Sequence, residues 1–206
     1  RITASSSELP VGLLGEAMNT ARGRSRSSAA RQAAVPVHEI VGLKESVPAP
    51  AAECLARFAE RLRGLDSRRV RAVATQTLRE ARNRREFLDR AQQVLGFPIE
   101  VISGREEARL IYSGVAHLLP HSDERRLVID IGGRSTEVVL GRGYVPSKVE
   151  SYLVGSVGLS LRHFADGRLT RKAFDAAVVA AQAQIEGALG FLGETVWDAA
   201  YGSSGT

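Results

Sequence analysis

The sequence predicts an α/β protein, a mixed sheet flanked by helices, and three observations carry that prediction. From Pro50 onward, stretches with helical apolar spacing alternate with short apolar runs of strand length. The core must be aliphatic, because aromatic residues make up 5% of a chain that is 44% hydrophobic, as in α/β proteins with parallel or mixed sheets. Finally, the apolar run Leu127 to Ile131 delivers an acid, Asp130, into a turn rich in small residues and hydroxyls that ends at a second acid, Glu137. A strand feeding such a turn is a way to present backbone amides to an anion.

The elements follow in order. Leu55, Phe58, Leu62 and Leu65 share one helical face, with Arg57, Glu60 and Arg61 opposite, so the spacing predicts a helix over 51–65. Val70 to Thr75 reads as a buried strand. A second helix is expected over 78–95, carrying Phe87, Leu88 and Val94, with Gly96 to Pro98 as its stop signal. Ile99 to Ile102 is a short strand. Ser103 then precedes a helix whose first turn holds Glu106 and Glu107, and Leu110, Ile111, Gly114, Val115 and Leu118 make its apolar face. Three extended segments follow, 127–131, 136–140 and 149–154, with Gly141 to Gly143 as a turn. An alanine-rich helix over 171–192 places Phe174, Val178, Ala181 and Ile185 at helical spacing, and Trp197 to Tyr201 reads as a last strand.

Residues 1–45 differ from the rest. Thr3 to Ser7 and Arg22 to Ser28 are polar or basic and poor in apolar residues, so irregular structure is expected there, interrupted by a short helix near Leu13 to Thr20. Residues 1–45 therefore read as a diverged or disordered segment.

Composition excludes several classes. The chain of 206 residues suits one large or two small domains. Its single cysteine, Cys54, rules out an internal disulfide framework and fits a reducing cytoplasm, the expected location. No apolar run approaches the ~20 residues that span a bilayer, so no membrane partner is expected. The net charge of +5 owes much to the arginines between Arg22 and Arg31 and suits a polyanionic substrate. The absence of stacking aromatics among the basic residues argues against nucleic acid.

Four segments carry candidate chemistry. Asp130 with Gly132 and Gly133 reads either as a phosphate and metal grip or as a plain turn. Glu106 and Glu107 read either as catalytic carboxylates or as acids that complement a helix terminus. Arg79, after a buried strand, offers a fork of donors that matches phosphate, or is a surface cation. Gly202 to Thr206 is a second glycine and hydroxyl turn after a strand, or a flexible tail. Two such loops can face one phosphate.

Their order adds a further reading. Ala74 to Ala81, Ile102 to Val115, Ile129 to Glu137, Gly155 to Gly158 and Gly202 to Thr206 resemble, in that sequence, the exopolyphosphatase and guanosine pentaphosphate phosphatase family (Ppx/GppA), within the actin, hexokinase and Hsp70 superfamily. The resemblance covers Glu53 to Thr206. It implies a ribonuclease H-like, actin-like ATPase fold in two subdomains with a cleft, the first incomplete at its N-terminus, with its remainder over 46–122, and the second truncated, with its beginning over 123–206. It implies that Glu107 is the general base, that Asp130 and Glu137 organise Mg²⁺ (or another divalent cation) and the attacking water, and that Arg79 holds phosphate. Gly132, Gly133, Ser135, Thr136, Gly202, Ser203, Ser204, Gly205 and Thr206 would cradle phosphate oxygens. The implied reaction is hydrolysis of a phosphoanhydride, releasing terminal phosphate from inorganic polyphosphate or guanosine pentaphosphate. Guanosine tetraphosphate is a further implied ligand, and the assembly implied is a homodimer.

Two departures from the family pattern bear on activity. The family opens with a phosphate loop of the form Asp-x-Gly-Ser-x-Ser, and Val11 to Gly15 lacks its acid and hydroxyls. Arg134 stands where the family has a third glycine, which would strain the turn by ~1 kcal/mol or more if the position required positive φ. A family relative that binds polyphosphate or a guanosine alarmone without efficient turnover is the alternative reading. A sugar or acetate kinase of the same superfamily is a third, against which the Glu106-Glu107-Ala-Arg109 segment argues.

Overall fold

The computed structural model describes residues 2–4, 49–192 and 197–204. These divide into two compact units, 1–74 with 78–101 and 75–77 with 102–206.

The first unit is built on a three-stranded sheet of order β1-β2-β3, with β1 at Ile2–Ala4, β2 at Val70–Ala74 and β3 at Ile99–Val101. β2 and β3 are parallel, and a parallel pair needs a crossover. Two helices supply it, α2 (Gln76–Glu80) and α3 (Arg84–Leu95), preceded in the chain by α1 (Ala49–Leu62). The single helix expected over 78–95 is thus two. Asn83 stands at the N-cap of α3 with non-helical backbone, as a residue that favours caps over helix interiors does. The inner face of α3 is Ala91 and Leu95, and Val94 points outward. Gly96 ends the helix at φ 76°, the left-handed conformation that glycine adopts without a Cβ clash. Asp66 caps a 3₁₀ turn, Ser67–Arg69, that the apolar spacing did not signal. Irregular structure was expected throughout 1–45, yet Ile2–Ala4 pair antiparallel with β2. The expected helix near Leu13 to Thr20 lies outside the described residues, as does Val11 to Gly15.

The second unit holds a four-stranded sheet of order β6-β5-β4-β7, comprising β4 (Arg125–Ile131), β5 (Thr136–Arg142), β6 (Val145–Tyr152) and β7 (Ala199–Ser203). β4 pairs antiparallel with β5 and parallel with β7, so the sheet is mixed. One face is covered by α4 (Gly104–Leu118), whose Ala108, Ile111, Tyr112 and Ala116 form a core with Val128 and Val139. The inner stripe of α4 is therefore 107, 108, 111, 112, 115 and 116. It is rotated from the predicted face, and Leu118 is exposed. Tyr112 explains the rotation. Its ring is fully buried and its hydroxyl donates to the Gly143 carbonyl at 3.0 Å, so a residue with one polar tip sits at the centre of the apolar stripe. α4 packs on this sheet within the unit formed by 75–77 and 102–206.

The other face carries Leu127, Val138 and Leu140, with Ile129, Tyr152 and Leu192 packed against them. Two helices return the chain to β7: α5 (Ser156–His163) and α6 (Arg171–Leu192). α6 has the predicted bounds but not the predicted face. Ala177 and Ala188 are buried, whereas Phe174, Val178 and Ile185 are exposed. Among the described residues no helix is long and apolar enough to cross a membrane.

Candidate active site

The site is a row across the second sheet. Asp130 of β4 stands opposite Glu137 of β5, Glu137 opposite Ser151 of β6, and Asp130 opposite Ser203 of β7. Alternate strand residues share a face, and this row lies on the same face as Val128, Val139 and Tyr201, the face that α4 covers. β-pairing therefore brings together four polar side chains that are far apart in sequence.

Glu107 completes the group from α4. Ser103 caps that helix by accepting the Glu106 N–H, and the cap sets which side of the first turn looks inward. The two adjacent acids then separate. Glu106 turns out and forms a two-point ion pair with Arg109 (2.8 and 2.9 Å), while Glu107 lies on the buried stripe at 8% exposure. Asp130 and Glu137 are 1% and 2% exposed.

Three carboxylates held this close in a buried place repel one another. Burial pushes the Glu137 carboxyl above its ordinary range, and the Glu107 charge pushes it further. Hydrogen bonds from Ser135 and Ser151 oppose that rise, and the Asp130 charge adds to it. The Ser151 hydroxyl donates to Glu137 Oε1 at 2.9 Å. Sequence reasoning missed Ser151. The available signal was a hydroxyl two residues from Val149.

The turn from Asp130 to Glu137 is braced from beneath. Gly132 N–H donates to the Ser135 carbonyl at 2.9 Å, closing the turn on itself. The Gly132 and Gly133 carbonyls accept the Ser156 and Gly158 amides at the start of α5, each at 3.0 Å. That docking needs Gly155, where a Cβ would come within 2.4 Å of the Gly133 carbonyl carbon and the Arg134 nitrogen. The Thr136 hydroxyl donates to the Val154 carbonyl at 2.7 Å, and strand alternation sets Thr136 on the face opposite Glu137.

Arg134 does not strain the turn. Among the described residues the non-glycine with positive φ is Ser204, at 98°, so the left-handed conformation falls in the second loop and not at Arg134. Ser203 lies in the row and Gly202 and Ser204 are exposed beside it, whereas Gly205 and Thr206 lie outside the described residues. Arg79 belongs to α2 of the first unit and is half-buried.

The donor set suits a hard cation in one particular way. Among the described residues no group of three or more His, Cys, Asp or Glu is arranged to hold a metal by itself. Mg²⁺ rarely uses such cages. It keeps several waters and takes one or two carboxylates together with substrate phosphates, which a buried pair such as Asp130 and Glu137 can offer.

The model of the Ppx/GppA phosphatase family matches residues 33–206. The guanosine-5'-triphosphate,3'-diphosphate pyrophosphatase of Vibrio cholerae serotype O1 is 45% identical over 154 residues, which is 75% of this chain and 31% of that protein. The chain thus spans about a third of the length of the curated relatives it matches. Among solved structures, an exopolyphosphatase-like protein is 32% identical with a TM-score of 0.66, covering 75% of this chain and 49% of that one. The Aquifex aeolicus Ppx-GppA enzyme is 28% identical with a TM-score of 0.58, covering 76% and 50%. The mixed sheet flanked by helices is accordingly that of the actin-like ATPase fold. On the match over 33–206 and the 45% identity to a curated relative, the chain belongs to the Ppx/GppA phosphatase family.

Proposed function

We propose that this protein hydrolyses phosphoanhydride bonds, releasing the terminal phosphate of guanosine pentaphosphate or of inorganic polyphosphate. The observation that carries the reading is the buried row of Asp130 and Glu137, flanked by Ser203 and Ser151 and met by Glu107 from α4. Phosphoryl transfer mainly requires that water be placed in line and that charge on the equatorial oxygens be neutralised.

The division of labour follows from chemistry. Glu107, a carboxylate on a rigid helix, orients water and takes its proton. Ser135 and the Gly202 to Ser204 turn offer small, close-approach donors to phosphate oxygens, with Gly133 beside them. Asp130 and Glu137 would hold a divalent cation, which supplies Lewis-acid neutralisation of the phosphate charge when bound. The guanosine substrate is favoured by the V. cholerae relative, named a guanosine-5'-triphosphate,3'-diphosphate pyrophosphatase, and the polymer by the name of the exopolyphosphatase-like structure. Cytoplasmic location and assembly as a homodimer belong to the same proposal.

The test is release of inorganic phosphate from guanosine pentaphosphate and from long-chain polyphosphate, with and without Mg²⁺. Glu107→Gln should lower kcat by about 10²–10⁴-fold, the usual contribution of a general base. Equal turnover in the two proteins would remove Glu107 from that role, and no release from either substrate would remove the hydrolase reading.

A further inference from the structure

We propose that Ser151 is a positioning residue that fixes the Glu137 carboxylate in its working orientation. The proposal deepens the hydrolase reading above and rests on it.

Glu137 occupies the middle of the row and is the acid most crowded by like charge. Asp130 faces it from one neighbouring strand and Glu107 from α4. A carboxylate so placed gains by turning away from both, which would remove it from service. The third side is β6. There Ser151 stands directly opposite in the antiparallel register and donates its hydroxyl proton to Oε1 at 2.9 Å. The bond defines which carboxylate oxygen points toward β6.

The residue type is what the task requires. A lysine or arginine at this place would balance the charge but would also compete with any cation for the same oxygens. A hydroxyl donates one proton and leaves the negative charge intact. Ser151 is partly buried on a face whose neighbouring inward position is Val149, so an aliphatic residue would have served packing alone. Ser135, the other donor to Glu137, belongs to the turn between β4 and β5, so Ser151 is the donor to Glu137 supplied by a regular strand.

The test compares wild type, Ser151→Ala and Ser151→Thr of the full 206-residue chain. Two readouts are used: phosphate release at saturating substrate, and calorimetric titration with Mn²⁺ alone. Ser151→Ala is expected to lower kcat by 10–100-fold with the substrate KM changed less than about twofold, and to weaken Mn²⁺ binding about tenfold, the usual effect of losing an outer hydrogen bond to a ligating carboxylate. Ser151→Thr keeps the hydroxyl on a residue that strands accept readily, and should recover both quantities to within about threefold. Unchanged kcat and Mn²⁺ affinity in Ser151→Ala would overturn the proposal, and so would Ser151→Thr behaving like Ser151→Ala. If the wild type releases no phosphate the hydrolase reading fails, and the Mn²⁺ arm still decides Ser151. A wild type that neither turns over nor binds Mn²⁺ overturns both.

Discussion

Asp130 and Glu137 face each other directly across β4 and β5, both almost fully buried, with the six residues between them leading through one braced turn. Two carboxylates in register on one sheet face are a destabilising pair, and Glu107 adds a third charge. The fold tolerates the arrangement because the rest of the sheet is well packed on both faces.

That tolerance makes stability and activity move in opposite directions at Glu137. Its carboxyl is raised above the ordinary range, chiefly by burial and then by Glu107. A raised acid contributes favourably below its unfolded value, and that contribution is lost as pH rises through the folded value. In metal-free buffer at neutral pH, Glu137→Gln should therefore raise the melting temperature, by roughly 2–4 °C for each kcal/mol gained in a chain of this size. The gain should shrink as pH falls below the unfolded value, where wild-type Glu137 is itself neutral. Phosphate release should be lost in the same variant. A variant that melts at or below wild type at neutral pH would contradict the repulsion.

The brace beneath the turn gives a second expectation. Gly155 is in extended backbone, which any residue adopts, so its requirement is closeness and not conformation. A Cβ there meets backbone atoms of Gly133 and Arg134 at 2.4 Å, and backbone cannot rotate aside as a side chain can. Gly155→Ala should cost ~1–3 kcal/mol, the scale of overpacking, and displace the loop that carries the acids. Gly190→Ala, on α6 with nothing within 4 Å of its added Cβ, is the control. It should leave stability unchanged or raise it by up to ~1 kcal/mol. Denaturant midpoints of the two variants test the contrast, and equal midpoints would show that the loop has room to give.

Much of the fold was legible because periodicity and punctuation agreed. The helix over 171–192, the stop at Gly96 and the cap at Ser103 all follow from rules that act within a few residues. What escaped was decided by contacts distant in sequence. The inner stripe of α4 includes Glu107 and Tyr112, which look polar in isolation and are placed by the sheet they meet. Asp130 and Glu137 were legible as a pair because a single turn joins them. Ser151 was not, because the register of β6 against β5 includes a shift at Leu140 and Gly141 that no local signal announces. Arg134 misled in the opposite sense. A bulky residue in a glycine-rich turn suggested strain, but positive φ falls at Ser204 instead.

The last expectation concerns the attachment of β7, the strand that brings Ser203 to Asp130. Its entry is fixed by Asp198. The carboxylate accepts the Arg125 amide at 2.7 Å and the Arg125 guanidinium at 2.7 and 3.1 Å, while the Asp198 amide donates to the Arg125 carbonyl at 2.8 Å. These bonds, led by the Arg125 side chain, hold the Asp198 carboxyl down at about 2. A depressed acid contributes stability above its unfolded value, here near 3.8, and that contribution disappears as pH falls through about 2. The window between those values should therefore carry a pH dependence of unfolding that Asp198→Asn lacks. The pair is solvent-exposed, so salt should weaken the effect and its size should be small. Chemical denaturation at a series of pH values between about 2 and 5, at low and high salt, reads the difference in slope. Equal slopes in wild type and Asp198→Asn would mean that the β4 to β7 pairing is held by its backbone ladder alone.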